Sequence, residues 1–392
     1  MYKLLTIFFL ALISCKNSDA KDISAIPNIS DTTENTSPKN TTAPTKDKNV
    51  EIVFCLDATG SMSGLISTAK EKIWDIASEL AQNNEVDSLK IGMVFYRDRG
   101  DLFVTKQIAL TTDLDGVYSD LLEIQADGGG DAPESVNQAL YEAVTAMTWS
   151  TNPDTYKTIF VVGDCPPHMD YKDDVTYMES CSKALEKNIH INTIKLGNGC
   201  PGAKEHFSKM ASCGKGDFLQ LDQNATDYVV ASPYDDEIEQ VSKDIDNSRL
   251  YYGNDREQND GNLKKEKSLS IYASGSKTAN SARASYKVSN AGDKSWMGNK
   301  EIANDVKNGT VKIEELSDEE LPPVLKGKTL QEKKAQVAAI IKEREENIAK
   351  LKTLNKNRAT YIKDQKKATS DKDSLSFSKE VIEVMKKQAG HR

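Results

Sequence analysis

The chain has 392 residues, 28% of them charged and 38% hydrophobic, with a formal net charge of −9. That length and apolar content suit one good-sized folded domain plus an appendage, and an acidic main body argues against nucleic acid as its ligand. The charge is unevenly spread: residues 326–392 hold 18 Lys+Arg against 9 Asp+Glu, the rest 33 against 51. A basic run of this kind reads as the solvated side of a helix, with an anionic lipid or acidic surface as the other reading.

Residues 1–15 have the pattern of a targeting segment. Lys3 precedes an apolar run from Leu4 to Ile13 broken by Thr6, too short for a spanning helix of about 20 residues. The run ends in Leu12-Ile13-Ser14-Cys15, which resembles the lipobox of bacterial lipoproteins, cut before a cysteine whose thiol is lipidated. The resemblance implies an acyl anchor on Cys15, which holds by burying methylenes at about 0.8 kcal/mol each. Lys16, where inner-membrane retention would place an aspartate, points to the outer membrane of a bacterial envelope. A secretory signal with an incidental cysteine is the alternative. Residues 16–48 are dominated by Ser, Thr, Asn, Asp, Lys and Pro and read as a flexible tether, lacking the apolar surface to offset ordering entropy.

From residue 49 to about 250, short apolar runs alternate with amphipathic patterns. Strands are expected at 50–56, 89–96, 102–110, 158–162, 189–196 and 218–221, their near-continuous apolar character fitting burial on both faces. Helices are expected at 64–82, where Leu65, Ile66, Ala69, Ile73, Ile76 and Leu80 form one stripe, at 133–147, opening on Pro133 and Glu134, and at 173–187, 203–212 and 235–247. Asp98-Arg99-Gly100-Asp101 reads as a hairpin connection. The expected fold class is α/β: a doubly wound, mostly parallel six-stranded sheet with one antiparallel edge strand, whose ligands bind beyond the strands' carboxyl ends. Five cysteines follow Cys15. Cys200 and Cys213 bracket a short segment and are the candidate disulfide, which an envelope location permits. Cys55 reads as buried in a strand, and an odd count leaves at least one thiol free or paired outside the chain. No Cys/His spacing suggests zinc.

Three polar loops stand where ligands are expected. Asp57-Ala58-Thr59-Gly60-Ser61 follows the first strand, Gly163-Asp164-Cys165-Pro166-Pro167-His168 follows the 158–162 strand, and Asp127-Gly128-Gly129-Gly130-Asp131-Ala132-Pro133 leads into a helix. Asp57 and Ser61, or Asp131, would serve as helix caps taken one at a time. Together, Asp57-x-Thr59-x-Ser61, Asp131 and Asp164 resemble the metal-ion-dependent adhesion site of von Willebrand factor A domains, over about half the chain. That resemblance implies direct ligation by Thr59 and Ser61, water-mediated contacts from Asp57 and Asp164, and an open position taken by a carboxylate from a protein partner. Hard oxygen donors suit Mg²⁺. Asp131, where many members have threonine, adds charge that keeps Mn²⁺ or Ca²⁺ open, and a one-residue slip would put Ala132 there instead. His168 beside the site reads as an exposed loop histidine rather than a general base, and His190, His206 and His391 show no partners.

Residues 251–316 read as irregular and partly β: 254–262 as loop, Leu269–Tyr272 as a short strand. Residues 317–392 read as a helical extension. Its long helix, Thr329 to about Lys367, carries a stripe of Leu330, Val337, Ile341, Ile348, Leu351, Leu354, Tyr361 and Ile362, and a second helix lies around 378–388. Packing within the chain is expected, because strict heptads are not sustained; a homodimeric coiled coil is the other reading. Three functions follow in order: a metal-dependent binding module without catalysis, a metal-dependent hydrolase, and an assembly element built on the C-terminal helices. Against the hydrolase, no phosphate-binding Gly/Lys loop, serine elbow or Cys/His pair is present.

Overall fold

The computed structural model describes residues 48–83, 86–368 and 376–390. The targeting segment with Cys15, nearly all of the tether and His391 lie outside these residues. The main sheet contains β1 (Asn49–Asp57), β2 (Ser88–Tyr96), β3 (Thr105–Thr111), β4 (Tyr156–Gly163), β5 (Ile189–Leu196) and β6 (Lys215–Leu221). Its order is β3-β2-β1-β4-β5-β6. All pairings are parallel except β2 with β3, so the sheet is the expected six-stranded α/β type. β3 starts later than expected, at Thr105, because residues 97–104 form the connecting loop.

Side-chain alternation along β1 splits the core into two layers. Ile52, Phe54 and Leu56 face the layer covered by α1 (Ser63–Asn83) and α2 (Leu114–Leu122). Val53 and Cys55 face the layer of α3 (Val136–Thr145), α4 (Tyr177–Glu186) and α5 (Ala203–Cys213). Burying both faces accounts for the unbroken apolar runs. The helix α2 lies between strands where no element was expected. Among the described residues Cys55 is the free cysteine, and it is buried, as its place in a strand implied.

The disulfide expectation is corrected. Cys200 pairs with Cys165 and Cys213 with Cys181, at Cα separations of 5.1 and 5.7 Å. Cys165 and Cys200 follow the adjacent strands β4 and β5, while Cys181 and Cys213 stand on the neighbouring helices α4 and α5. Spatial adjacency across the sheet, not closeness in sequence, sets the pairs.

The region after α6 (Asp235–Asn247) is helical: α7 (Asp255–Ser274), α8 (Lys277–Lys287), α9 (Asn290–Ser295), α10 (Ile302–Lys307), α11 (Leu330–Ala368) and α12 (Phe377–Gly390). Residues 254–262 and Leu269–Tyr272 are thus helix, not loop and strand. A capping box opens α7: Asn254 Oδ1 accepts from Glu257 N, and Glu257 returns a bond to Asn254 N. Gly261 fits under the Tyr251 ring, which a Cβ would strike.

The helices dock on the sheet domain through buried charge as well as apolar contact. Arg283 on α8 is fully buried and donates to both Asp115 carboxylate oxygens on α2, at 2.6 and 2.5 Å, and to Asp246 on α6 at 3.1 Å. Burial raises the Asp115 pKa, but Arg283 outweighs it and holds the carboxyl well below its ordinary value. On α11, Arg344 grips both oxygens of the buried Glu301 and Arg358 donates to Asp235 at 2.7 Å. Val337, Leu351 and Leu354 bury against the chain, whereas Leu330 stays 45% exposed. The long helix therefore packs within the chain, as expected. α12 seats Phe377, Val381, Val384 and Met385 in the α1-side core.

Candidate metal centre

The carboxyl ends of β1 and β4 are neighbours in the sheet, so Asp57 and Asp164 stand side by side at the point where the strand order reverses. Asp57 is fully buried. Its Oδ1 accepts from Thr59 N at 2.9 Å and Thr59 Oγ1 at 2.7 Å, and Ser61 Oγ lies 3.3 Å from Thr59 Oγ1. Thr59, at the N-cap position of the following turn, makes no side-chain cap bond. Asp57, Thr59 and Ser61 are tied to one another within the loop. Asp164 accepts from Gln223 Nε2 at 2.7 Å.

The third loop corrects the sequence reading. Asp131 is exposed, and its carboxylate groups with Asp98 and His168. Glu134, 3% exposed, is near enough to Asp57 and Asp164 for their charges to act on its carboxyl. Its backbone is pinned between loops: Glu134 N donates to Pro166 O at 2.9 Å, and His168 N to Glu134 O at 3.1 Å. The helix begins only at Val136, so Glu134 is a loop residue and not part of the first helical turn. The signal available in the sequence was the apolar stripe, which starts at Val136.

Other residues fix the loops. Arg97, buried, donates through Nε to Ala58 O at 3.1 Å and through Nη2 to Gln125 O at 2.8 Å. Asp101 accepts from Gly129 N at 3.1 Å. Gly129 has φ +87°, and a Cβ there would stand 3.2 Å from Thr59 Cβ, so this close pass requires glycine. The Cys165–Cys200 disulfide anchors the chain immediately after Asp164.

The electrostatics are those of a site built for a cation. Among the described residues, Asp57 Oδ2, Glu134 Oε2 and Asp164 Oδ1 are buried without a hydrogen-bond partner. Burial pushes the Asp57 carboxyl up to about 7 despite the Thr59 hydrogen bonds, with Asp164 adding to the rise. Burial, then the charges of Asp57, Asp98, Asp164 and Asp101, push Glu134 up to about 9. Unpartnered buried carboxylate oxygens are costly, and a hard divalent ion beside Thr59 and Ser61 would satisfy them. The donor set fits such an ion.

His168 is not the exposed loop residue the sequence suggested. It is 4% exposed, its Nδ1 lies 2.8 Å from Asp170, and its ring stacks on Tyr171 at 3.9 Å. His190 Nδ1 meets Lys215 O at 3.0 Å and His206 Nδ1 meets the Tyr177 hydroxyl at 3.3 Å, so these two have partners.

A family model described as von Willebrand factor A domain matches residues 51–231. The sheet order and loop geometry above agree with that match, so this part of the chain has a von Willebrand factor A-like fold. An ariadne-like RING finger protein of Acanthamoeba polyphaga mimivirus is 26% identical over 119 residues, or 30% of this chain, and the match spans 11% of that protein's length. Among solved structures, proximal thread matrix protein 1 from the mussel byssus, with a zinc-occupied adhesion-site motif, is similar at TM-score 0.34 and 14% identity, over 46% of this chain and 45% of that one. An aerotolerance-related membrane protein from Bacteroides fragilis is similar at TM-score 0.31 and 16% identity, over 45% and 93% of the two chains.

Proposed function

We propose that the domain is a divalent-cation-dependent protein-binding module without catalytic activity, displayed on a lipid-anchored bacterial envelope protein. The observation that carries this reading is the trio of unpartnered buried oxygens on Asp57, Glu134 and Asp164. Thr59 and Ser61 supply neutral oxygens beside them, and Ser61 is exposed, so the ion's outer face is open to a carboxylate from the partner. Such a contact gains from the partly dry surroundings, where charges interact more strongly than in bulk water. Mg²⁺ is the proposed ion, with Mn²⁺ and Ca²⁺ compatible. Lipidation at Cys15 and the 16–48 tether would hold the domain at the outer membrane, a setting in which the two disulfides are stable.

The test is ion-linked stability and ion-linked capture. Mg²⁺ at 100 times its Kd should stabilise the fold by about 2.7 kcal/mol, and Asp57→Ala should abolish the shift. Envelope proteins retained by the wild-type chain should be lost with chelator or with Asp57→Ala. A melting shift that survives Asp57→Ala would refute the site; retention indifferent to chelator would refute the binding mode.

A further inference from the structure

The Asp98–Asp131–His168 group is a separate constellation that the adhesion-site reading leaves unused. It is assembled from three connections: the β2–β3 loop gives Asp98, the loop before α3 gives Asp131, and the loop after β4 gives His168. Ligand-capable atoms of all three lie within 4.8 Å of one another.

The histidine is prepared for ligation. Asp170 holds Nδ1 at 2.8 Å, and an ionised carboxylate accepts only, which places the proton on Nδ1 and the lone pair on Nε2. Carboxylate–histidine pairs of this kind orient metal-binding imidazoles. Tyr171 stacks on the ring, and Arg99 caps Tyr171 at 4.0 Å. Nε2 is buried and, among the described residues, has no hydrogen-bond partner. It lies 3.3 Å from Asp98 Oδ2, and two ligands bound at about 2.1 Å to one ion stand roughly 3.0–3.4 Å apart. Asp98 Oδ1 accepts from Ser135 at 3.0 Å and Tyr171 at 3.2 Å, but among the described residues Oδ2 accepts only from Tyr171, at 3.0 Å. A lone pair on Oδ2 therefore remains beside Nε2. Asp131, exposed, closes the group from the solvent side and leaves room for water or an incoming ligand.

We propose that Asp98, Asp131 and His168 form a second metal site, taking a divalent transition ion such as Mn²⁺, Fe²⁺ or Zn²⁺. One imidazole nitrogen with two carboxylates favours these over Ca²⁺ and Mg²⁺. The site does not depend on the Asp57 centre.

The test is calorimetric titration of Mn²⁺ into the chelator-stripped chain. Wild type should bind two ions, Asp57→Asn one and His168→Gln one. Because His168 is buried, Asp131→Asn serves as the variant that leaves packing intact, and it should weaken the second ion at least about tenfold. In Asp57→Asn, Mn²⁺ should broaden the His168 imidazole resonances. The proposal is overturned by a single ion in wild type that His168→Gln retains, by His168→Gln or Asp131→Asn titrating like wild type, or by unbroadened His168 signals. If Asp57→Asn keeps two ions while His168→Gln loses one, the Asp57 reading fails and this one stands.

Discussion

Replacing Asp57 by asparagine separates the cost of the metal centre from its use. The side chain is fully buried, and burial lifts its carboxyl from 3.8 to about 7. Without an ion at pH 8 the carboxylate must ionise against that environment. Three pKa units at about 1.4 kcal/mol each give a penalty on the order of 4 kcal/mol. Asparagine keeps Oδ1 as acceptor for both Thr59 bonds and removes the charge, but buries an amide whose unmatched hydrogens cost about 1–3 kcal/mol. The variant should therefore be about 1–3 kcal/mol more stable than wild type in chelator at pH 8. In saturating Mg²⁺ the order should reverse, since the variant lacks the centre that gains this binding free energy.

Urea unfolding read by tryptophan fluorescence, with unchanged slope, measures both arms. The pH dependence gives an independent reading. A folded pKa above the unfolded one means the native state holds more protons, so stability falls as pH rises. For Asp57 the decline runs from about 3.8 to about 7, and Glu134 extends it from 4.5 to about 9. Chelated wild type should lose stability across this window, and Asp57→Asn should show a shallower decline. A variant less stable than wild type in chelator at pH 8, yet still stabilised by Mg²⁺, would refute the electrostatic argument and the site together.

Two further outcomes follow from the supports around the site. Arg283→Met leaves Asp115 and Asp246 buried without their shared cation and should cost about 3–5 kcal/mol; a loss under 1 kcal/mol in urea unfolding would show that the helical region is not docked through this network. Cys165→Ala with Cys200→Ala opens a bridge spanning 35 residues, worth about 3–4 kcal/mol by loop entropy, and should weaken Mn²⁺ binding because Asp164 is next to the bridge. Calorimetry showing wild-type affinity would mean that Gln223 and the sheet alone position that carboxylate.

Hydrophobic periodicity made the sheet domain legible and left its polar contacts silent. β1 was readable because Val50 to Leu56 is covered on both faces, and α1 because its stripe is apolar. α7 was not, because part of its buried face is polar: Ser268 meets Asp115, Gln258 bonds Gly253 O, and Gly261 makes room for Tyr251. A helix buried through such groups has no apolar stripe to find. Its start was marked by Asn254 and Glu257, a capping pair at the right spacing. At the site, Asp57, Thr59, Ser61 and Asp164 were legible because they sit at strand ends, where position follows from the sheet. Glu134 and Asp131 lie in a loop whose course is set by bonds to Pro166, His168 and Asp101, so neither spacing nor residue type could say which of the two turns inward.

That division also bears on why the chain continues past the sheet. The carboxyl end of the sheet gathers Asp57, Asp98, Asp101, Glu134 and Asp164, and burial together with the neighbouring charges raises the proton affinity of Asp57 and Glu134. Such a cluster destabilises the ion-free fold, and the loops that hold it need a rigid frame. Buried opposite charges do the reverse in the helical region: Arg283 with Asp115 and Asp246, Arg344 with Glu301, Arg358 with Asp235. Each pair costs solvation, but those of Arg283 and Arg344 are bidentate or shared, the geometry in which removing one partner is expensive. These pairs tie α2, α6, α8 and α11 into one body beneath the loops. A domain cut at residue 250 would keep every proposed ligand and lose Arg283, Arg344 and Arg358, the partners of Asp115, Asp246, Glu301 and Asp235, along with the helices packed on α2 and α6. On this reasoning the helical extension belongs to the structural support of the metal-binding end, and the two are parts of one folded unit.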